Sequence, residues 1–214
     1  MPPTTTNTLP LLSPSPTQNR TPSCAGLDFD VVNPVTGHRA RRQTPAEGAG
    51  DGAAVVEFEF TLPARSAGAP RHVHTRITET FIVVAGQLLV EVGERGHFVV
   101  LRAGEAVTIT PGTPHGFRNA SEAAVVFRCV VKPGGDFENF IRALYGLALD
   151  GRTDAAGMPT NFWQLVLILK LGDVHVPGVP VALQRWLIGG LARIARRCGA
   201  ERALAPYFVP SGAR

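Results

Sequence analysis

The stretch HVHTRITE, residues 72–79, decides how the rest of this sequence is interpreted. Side chains alternate between the two faces of an extended strand, so His72 and His74 project the same way and can present two imidazoles to one point. Glu79 follows a predicted bend at 75–78 and begins the next strand, where its carboxylate can approach the same point. Two nitrogen ligands and one oxygen ligand suffice for a transition metal. The octapeptide therefore predicts a metal site.

A fourth candidate ligand, His115, lies within TPGTPHGFRN at residues 110–119. Two prolines and two glycines predict a tight connection that aims this imidazole at the start of the following strand. A closed sheet brings strands that are distant in sequence together, so His115 can join the other three side chains. A third histidine raises the affinity for a metal and still leaves coordination positions open for substrate or oxygen.

The surrounding sequence, from about residue 28 to 132, consists of short runs of β-branched and aromatic residues separated by turns. The 23 glycines and 18 prolines suit a fold with many turns. Successive runs are spaced by roughly 8 to 12 residues with no helical pattern between them, which predicts an antiparallel sandwich or barrel. The predicted strands are 29–32, 53–62, 80–84, 87–92, 97–101, 106–110 and 123–131.

After Lys132 the hydrophobic period becomes helical. Asp136 is a candidate cap for a first helix, Thr160 or Asn161 for a second, very apolar one at 162–171, and a third is predicted from about Val181 to Arg197. The apolar positions of the first helix share one face: Phe137, Phe140, Ile141, Leu144, Leu147 and Ala148. Those of the third are Leu183, Trp186, Leu187, Leu191 and Ile194.

Three regions follow from these patterns. Residues 1–25 are rich in proline, threonine and serine and predict a disordered arm. Residues 26–133 predict the mainly β barrel, and residues 134–214 a helical C-terminal extension. The extension either covers the open sheet of the barrel or forms a subunit interface. Because the segment 162–171 must be buried, we expect a homodimer. Attachment to a membrane surface is favoured less, because no clear basic face lies opposite the apolar ones.

Composition narrows the classes of partner and the cellular location. The net charge of +4 comes almost wholly from arginines, which are scattered apart from two short groups, at 39, 41 and 42 and at 193, 196 and 197. No interleaved aromatic residues or DNA-reading motif accompany them, so no nucleic acid is expected. Cys24, Cys129 and Cys198 are far apart and lack CxxC spacing, which predicts a reducing compartment and no disulfide framework. No apolar run reaches the roughly 18 to 20 residues of a transmembrane helix. We therefore expect a soluble, cytoplasmic protein that binds a small molecule.

Two short motifs resemble those of the cupin superfamily, and the resemblance covers about residues 53–132. In the first motif Ser66 occupies the usual glycine site, and Gly68 lies two positions later than expected; the second has Thr110 in place of its first proline. The matching residues of the first motif are His72, His74, Glu79 and Gly86. Those of the second are Gly104, Gly112, His115 and Asn119. The resemblance implies a double-stranded β-helix, or jelly-roll, barrel with all four metal positions of the family filled.

The resemblance also implies a class of chemistry without selecting one reaction. It favours an oxygenase or dioxygenase that acts on a small, largely apolar organic substrate with one divalent metal, Fe²⁺ before Mn²⁺, Ni²⁺ or Cu²⁺. Glu79 can then double as a general base when it leaves the metal. With Zn²⁺ the same ligands suit a non-redox isomerase or cyclase. The alternative to an enzyme is a binding module, in which the barrel binds a small ligand without converting it.

Candidate pocket residues surround the predicted ligands. Arg76 continues the alternation of His72 and His74 and either faces the pocket, where it would bind an anionic group, or lies on the surface. Phe58, Phe81 and Phe117 are candidates for an apolar pocket wall, although aromatic residues in a barrel more often fill its core. Four other side chains are excluded from the site. His38, His97 and His175 have no partner at ligand spacing, and Cys129 is predicted to be a buried core residue.

Overall fold

A computed structural model describes residues 29–43 and 55–209 of the chain. The predicted disordered arm, residues 1–25, lies outside these ranges. Within them, nine strands precede four α-helices and a short 3-10 turn at Ala205–Tyr207. The strands are β1 Asp30–Val32, β2 Arg39–Gln43, β3 Val56–Leu62, β4 Thr78–Ala85, β5 Gln87–Val92, β6 Phe98–Arg102, β7 Ala106–Ile109, β8 His115–Arg118 and β9 Val125–Lys132. The helices are α1 Phe137–Leu149, α2 Phe162–Leu171, α3 Val181–Arg197 and α4 Ala200–Leu204.

The strands form two antiparallel sheets, which confirms the predicted mainly β jelly-roll barrel. Six strands follow the order β1-β2-β3-β9-β4-β7, and three follow the order β6-β5-β8. Along β9 every second residue is buried, so the inward faces of both sheets contribute to one core. Aromatic edge-to-face contacts hold this core together, such as that between Phe81 and Phe127, whose ring centroids lie 5.9 Å apart. The core therefore lies directly behind the start of β4, where Glu79 stands.

Two strands, β2 and β8, were missed by sequence inspection. β2 reads RARRQ, and its only fully buried residue is Ala40. Arg39 and Arg41 lie outward and pair with Asp30 and Glu59, whereas the half-buried Arg42 packs over the Phe58 ring. β8 reads HGFR and follows a turn, so four residues with a glycine carried too little strand signal. Among the helix caps, Asn161 and not Thr160 caps α2: its Oδ1 accepts from the amides of Trp163 and Gln164.

The helical extension buries its second helix within the chain. Val166, Leu167 and Ile168 of α2 are buried, and this helix packs against α1, α3 and α4. The apolar segment 162–171 therefore does not need a second subunit to cover it, and the homodimer stays a prediction. No helix in the described ranges has both the length and the apolar character needed to cross a membrane.

Helix α3 differs from expectation in how it is oriented. Its buried residues are small, Ala192 and Ala195, and the partly buried Ile188 and Leu191 pack against the core beside them. Most of its large apolar side chains point outward: Leu183, Trp186, Leu187 and Ile194. The apolar face of this helix therefore does not cover the barrel.

Asn119, which matches the last position of the second motif, ties together the end of β3 and the loop before β9. Its side chain is 1% exposed. The amide nitrogen donates to the carbonyls of Pro63 at 2.7 Å and Ala123 at 2.8 Å, and its Oδ1 accepts from the Ser121 amide and hydroxyl. Its role in this structure is to hold two chain segments together.

We expect Asn119→Ala to lower the free energy of unfolding by about 3 kcal/mol, because the carbonyls of Leu62, Pro63 and Ala123 each lose the hydrogen bond from Asn119 and the amide and hydroxyl of Ser121 lose their acceptor. Urea denaturation monitored by circular dichroism measures this loss. The control Glu122→Gln changes an exposed residue of the same loop and should cost less than about 0.5 kcal/mol. A loss for Asn119→Ala as small as that of the control would contradict the assignment.

Candidate metal centre

The segment that carries His72 and His74 is extended and held on both sides. His72 pairs with His115 through two backbone hydrogen bonds, of 2.7 and 2.8 Å, and Val73 pairs with His175 through two of 3.0 Å. The chain bends at 75–76 before β4 begins, which brings Glu79 back toward the two histidines. Pairing with β8 places His115 next to His72. The local backbone thus delivers the four predicted side chains to one place.

Four potential ligand atoms converge there, all within 4.8 Å of one another. His72 Nε2 lies 3.1 Å from His74 Nε2, and His115 Nε2 lies 2.8 Å from Glu79 Oε2. His74 Nε2 is 3.5 Å from the same Glu79 oxygen. His74, Glu79 and His115 are buried, whereas His72 is half-buried. The cluster is therefore a small cage whose most accessible wall is His72.

The other ring nitrogen of each histidine lies beside a backbone carbonyl. The Nδ1 atoms of His72, His74 and His115 lie 2.8, 3.2 and 3.0 Å from the carbonyl oxygens of Pro70, Asp173 and Thr113. A carbonyl oxygen can only accept, so each Nδ1 carries a proton and donates it. Nε2 is therefore the nitrogen of each ring that faces the cluster: it donates while it carries a proton, and it presents a lone pair to a metal once that proton has left. Three such nitrogens and a carboxylate facing each other form a donor set that fits one divalent transition metal.

The charges within the cage depend on one another. Burial alone would raise the pKa of Glu79, but hydrogen bonds and charge from His115 and His74 outweigh burial and hold this pKa below its ordinary range. Burial opposes protonation of His74, yet the adjacent Glu79 raises the pKa of His74 above its usual 6.5. Burial, with the charge of His115, lowers the pKa of His72 to about 4. At neutral pH Glu79 is therefore an anion and His72 a neutral donor.

Cys129, which sequence inspection excluded, lies against the outer oxygen of Glu79. Its Sγ is 3.8 Å from Glu79 Oε1, while the other carboxylate oxygen faces the imidazoles. Burial, with the negative charge of Glu79, raises the pKa of this thiol well above its usual value, so it remains protonated and can donate. Cys129 thus contacts a candidate ligand without itself reaching the cage. Cys129 pairs with Phe81 across strands β9 and β4. Because this pairing joins residues distant in the chain, no local sequence pattern predicts that Cys129 lies near Glu79.

The helical extension reaches the cage through Asp173, a residue that sequence inspection missed. Its carboxylate accepts from the amides of Thr75 at 2.7 Å and Arg76 at 2.9 Å and from the Thr75 hydroxyl. Its backbone carbonyl is the acceptor for His74 Nδ1. His175, also excluded beforehand, takes part through its backbone pairing with Val73. The extension therefore fixes the segment that carries two of the four candidate ligands.

The candidate pocket residues do not gather around one cavity. Phe58 and Phe81 are fully buried, and Phe117 is half-buried; the Phe81 ring centroid lies 6.2 Å from that of His115. The exposed Arg76 faces Asp173, with its Nε 3.9 Å from Oδ2, and lines a cavity of about 170 Å³ away from the cage. A larger cavity of about 410 Å³ has an apolar lining that includes Val73, Pro114 and the loop 176–179. None of the four candidate ligands or four pocket residues lines it, so substrate contact by the latter stays a prediction.

Comparison with known proteins identifies the domain. Residues 58–131 match the family model described as "Cupin domain", and all four candidate ligands lie within this range. The chain therefore contains a cupin domain, as the two motifs predicted. No curated protein gives a significant match.

Solved structures resemble parts of the chain at low identity. An uncharacterized conserved protein with a double-stranded β-helix domain from Klebsiella pneumoniae is 26% identical over 42% of this chain and 83% of its own, with a TM-score of 0.36. An RmlC-like cupin from Shewanella frigidimarina is 19% identical over 50% and 85% of the two chains, with a TM-score of 0.40. A cupin-2 domain from Rhodospirillum rubrum is 17% identical over 44% and 59%, with a TM-score of 0.37.

We expect Asp173→Ala to weaken metal binding by about 10- to 100-fold, the usual effect of removing a group that orients a ligand. Without the carboxylate, the Thr75 and Arg76 amides lose their acceptor and His74 loses its fixed position. Competition with a chromophoric chelator for Co²⁺ or Zn²⁺ measures the affinity. Arg76→Ala, which removes only an exposed partner of Asp173, is the control and should retain the affinity. Equal affinities of the two variants would contradict this role.

We also expect metal affinity to fall by up to about tenfold when the pH drops from 6.5 to 5.5, because the metal must displace one proton from His74. The raised pKa of His74 places this proton on the ring throughout that interval. The lowered pKa values of Glu79 and His72 keep those two groups ready to bind over the same range. The same chelator competition at several pH values measures the slope, and a pH-independent affinity would refute the expectation.

Proposed function

We propose that this protein is a metal-dependent cupin enzyme, an oxygenase that acts on a small, largely apolar organic molecule. The observation that carries the proposal is the convergence of three Nε2 lone pairs and one carboxylate oxygen within 4.8 Å, with each imidazole held in the tautomer that a metal requires. Four protein ligands leave coordination positions of an octahedral ion open, as catalytic sites require. When bound, Fe²⁺, or Mn²⁺, Ni²⁺ or Cu²⁺ in its place, would supply the redox chemistry.

The residues of the cage would divide the work as follows. Once the proton of His74 has left, the three histidines would bind the ion as neutral donors, and the anion of Glu79 would offset part of the charge of a divalent ion. His72 is the only half-buried member of the cluster, so we place the approach of the substrate on its side. Phe81 packs beside His115, and Phe117 packs on Phe81 with centroids 5.2 Å apart. These rings are buried behind the cage; the apolar substrate class is supported by the cavity of about 410 Å³, whose mostly apolar lining includes Val73, between His72 and His74 in the chain.

Ligation is the better supported role for Glu79. A general base works best when its pKa lies near the working pH, whereas the pKa of Glu79 is held below its ordinary range. Its Oε2 also points at the imidazoles. A second role as a proton acceptor would require the carboxylate to leave His115 and His74 first.

A cytoplasmic location belongs to the same proposal. Cys129 and Cys198 are both free thiols in the described part of the chain, one buried and one exposed, which suits a reducing compartment.

The decisive experiment is to identify the metal of the purified protein and to follow oxygen consumption with a panel of enolisable and phenolic compounds. We expect one redox-active ion per chain and substrate-dependent oxygen uptake. If the metal is zinc and turnover consumes no oxygen, the protein is an isomerase or cyclase and not an oxygenase. If a ligand binds tightly but is not turned over with any metal, the protein is a binding module and not an enzyme.

His74→Ala should remove most of the metal and lower the melting temperature, because a bound metal stabilises the folded state. The matched control is His97→Ala, which alters an exposed histidine outside the cluster and should retain both the metal and the melting temperature. Elemental analysis and thermal denaturation of the two variants give the comparison. A full metal content in His74→Ala would refute the ligand assignment independently of any substrate.

A further inference from the structure

The outer face of helix α3 is an exposed apolar surface. Leu183, Leu187 and Ile194 follow one another at spacings of four and seven residues, which places them in one stripe along the helix. Trp186 stands beside the stripe and is 73% exposed. The loop before the helix extends the surface with two further exposed valines. We call this set the α3 surface: Val176, Val179, Leu183, Trp186, Leu187 and Ile194.

Positive charge without nearby acid borders this surface. Between Val174 and Ala200 the sequence contains four arginines and no aspartate or glutamate. Arg185, Arg193 and Arg197 are exposed and have no ion-pair partner among the described residues, whereas Arg196 pairs with Glu201 at 3.0 Å. Arg193 lies at the edge of the stripe next to Ile194, and Arg197 continues the helix one turn beyond it. These arginines lie beside the apolar stripe and not opposite it, so the expectation that no clear basic face lies opposite the apolar one did not cover them.

The charges decide between the candidate occupants of the α3 surface. If a second copy packed α3 against α3, Arg193 and Arg197 of each copy would face either arginines or apolar side chains of the other helix, which has no acidic residue, so their charges would be left unpaired at the interface. The inward face of α3 already packs against α2 and α4, so these helices of the same chain are not available to cover the outer face. The α3 surface is apolar and is bordered by positive charge, so it matches a partner that has anionic groups outside and an apolar interior.

A bilayer surface is the partner whose chemistry fits. Amphipathic helices that lie in a membrane interface combine a strong separation of polar and apolar faces with low overall hydrophobicity, arginines on the polar side, and tryptophan and leucine on the other. Tryptophan favours the level of the headgroups because its ring is apolar with one polar edge. Arginine can place its aliphatic stem along apolar chains while its guanidinium reaches the phosphates. Helix α3 carries tryptophan and leucine on its exposed face, and Arg193 and Arg197 lie at the edge and the end of that face.

We propose that α3 docks this protein on the surface of an anionic lipid bilayer. The helix lies parallel to the membrane plane, with Leu183, Leu187 and Ile194 at the boundary of headgroups and acyl chains and Trp186 beside them. Arg193 and Arg197 contact lipid phosphates. The inference rests on α3 and its preceding loop alone and is independent of the metal centre and of the proposed oxygenase activity.

Vesicle co-sedimentation of the full chain tests the proposal. We expect the protein to bind vesicles of phosphatidylcholine mixed with phosphatidylglycerol, to bind phosphatidylcholine alone much more weakly, and to dissociate at high ionic strength. The chain has two tryptophans, so Trp163→Phe leaves Trp186 as the single fluorophore. Its emission should shift to the blue on addition of anionic vesicles, because the exposed indole leaves water.

Two pairs of variants separate the apolar and the charged contributions. Arg193→Gln with Arg197→Gln should lower the partition coefficient by about 25-fold, since each arginine near an anionic surface contributes about fivefold. Trp186→Ser with Leu187→Ser should lower it by at least about tenfold through the loss of apolar burial. The matched controls change exposed residues in and around β6: Phe98→Ser with Val100→Ser, and Arg95→Gln with Arg102→Gln. Both controls should bind like the wild type.

The failure to bind anionic vesicles would overturn the proposal, as would equal losses in the α3 variants and in their controls. Light scattering after size-exclusion chromatography tests the competing occupant. If the protein does not bind vesicles but forms a dimer, and the variant Trp186→Ser with Leu187→Ser is a monomer, the α3 surface binds a second copy. This outcome would refute membrane docking.

Discussion

A carboxylate that is 4% exposed and faces three imidazoles is the constraint on which the rest of this structure depends. Burying a charge in a protein interior is costly unless an opposite charge and hydrogen bonds compensate it. Glu79 meets this condition through His115 and His74 on one oxygen and through the Cys129 thiol near the other. Compensation works only if the imidazoles are held at fixed positions. The pairing of the 72–73 segment on both of its edges provides that fixation.

The barrel and the helical extension are therefore not independent parts. The family match ends at residue 131, whereas the group that holds Thr75 and Arg76 in place is Asp173, just beyond the end of α2. The position of α2 is in turn set by its buried contacts with the other helices. The packing of the extension thus supports the geometry of the cage. The extension also carries α3, so the surface proposed for membrane docking belongs to the same helical unit that orients His74.

The sequence contained enough information for the barrel, the three longest helices and the four candidate ligands, because each of these leaves a local pattern. Alternation on an extended segment relates His72 to His74, and helical spacing reveals the apolar faces. What could not be foreseen depends on contacts distant in the chain. Asp173 acts 98 residues from Thr75, and Cys129 contacts Glu79 through strand register. Helical spacing also identified the stripe on α3 but not its orientation, since only the packing of Ala192 and Ala195 shows which face points inward.

The acceptors of the three Nδ1 protons are all main-chain carbonyls, those of Pro70, Thr113 and Asp173. Many metal-binding histidines donate instead to a carboxylate, which makes the ligand more basic. A carbonyl oxygen is present whatever residue occupies its position, so drift of the sequence at Pro70 or Thr113 leaves the protonation pattern of the ligands unchanged as long as the chain path is kept. Substitutions at these positions can therefore change the side chains near the cage without removing the acceptors of the Nδ1 protons.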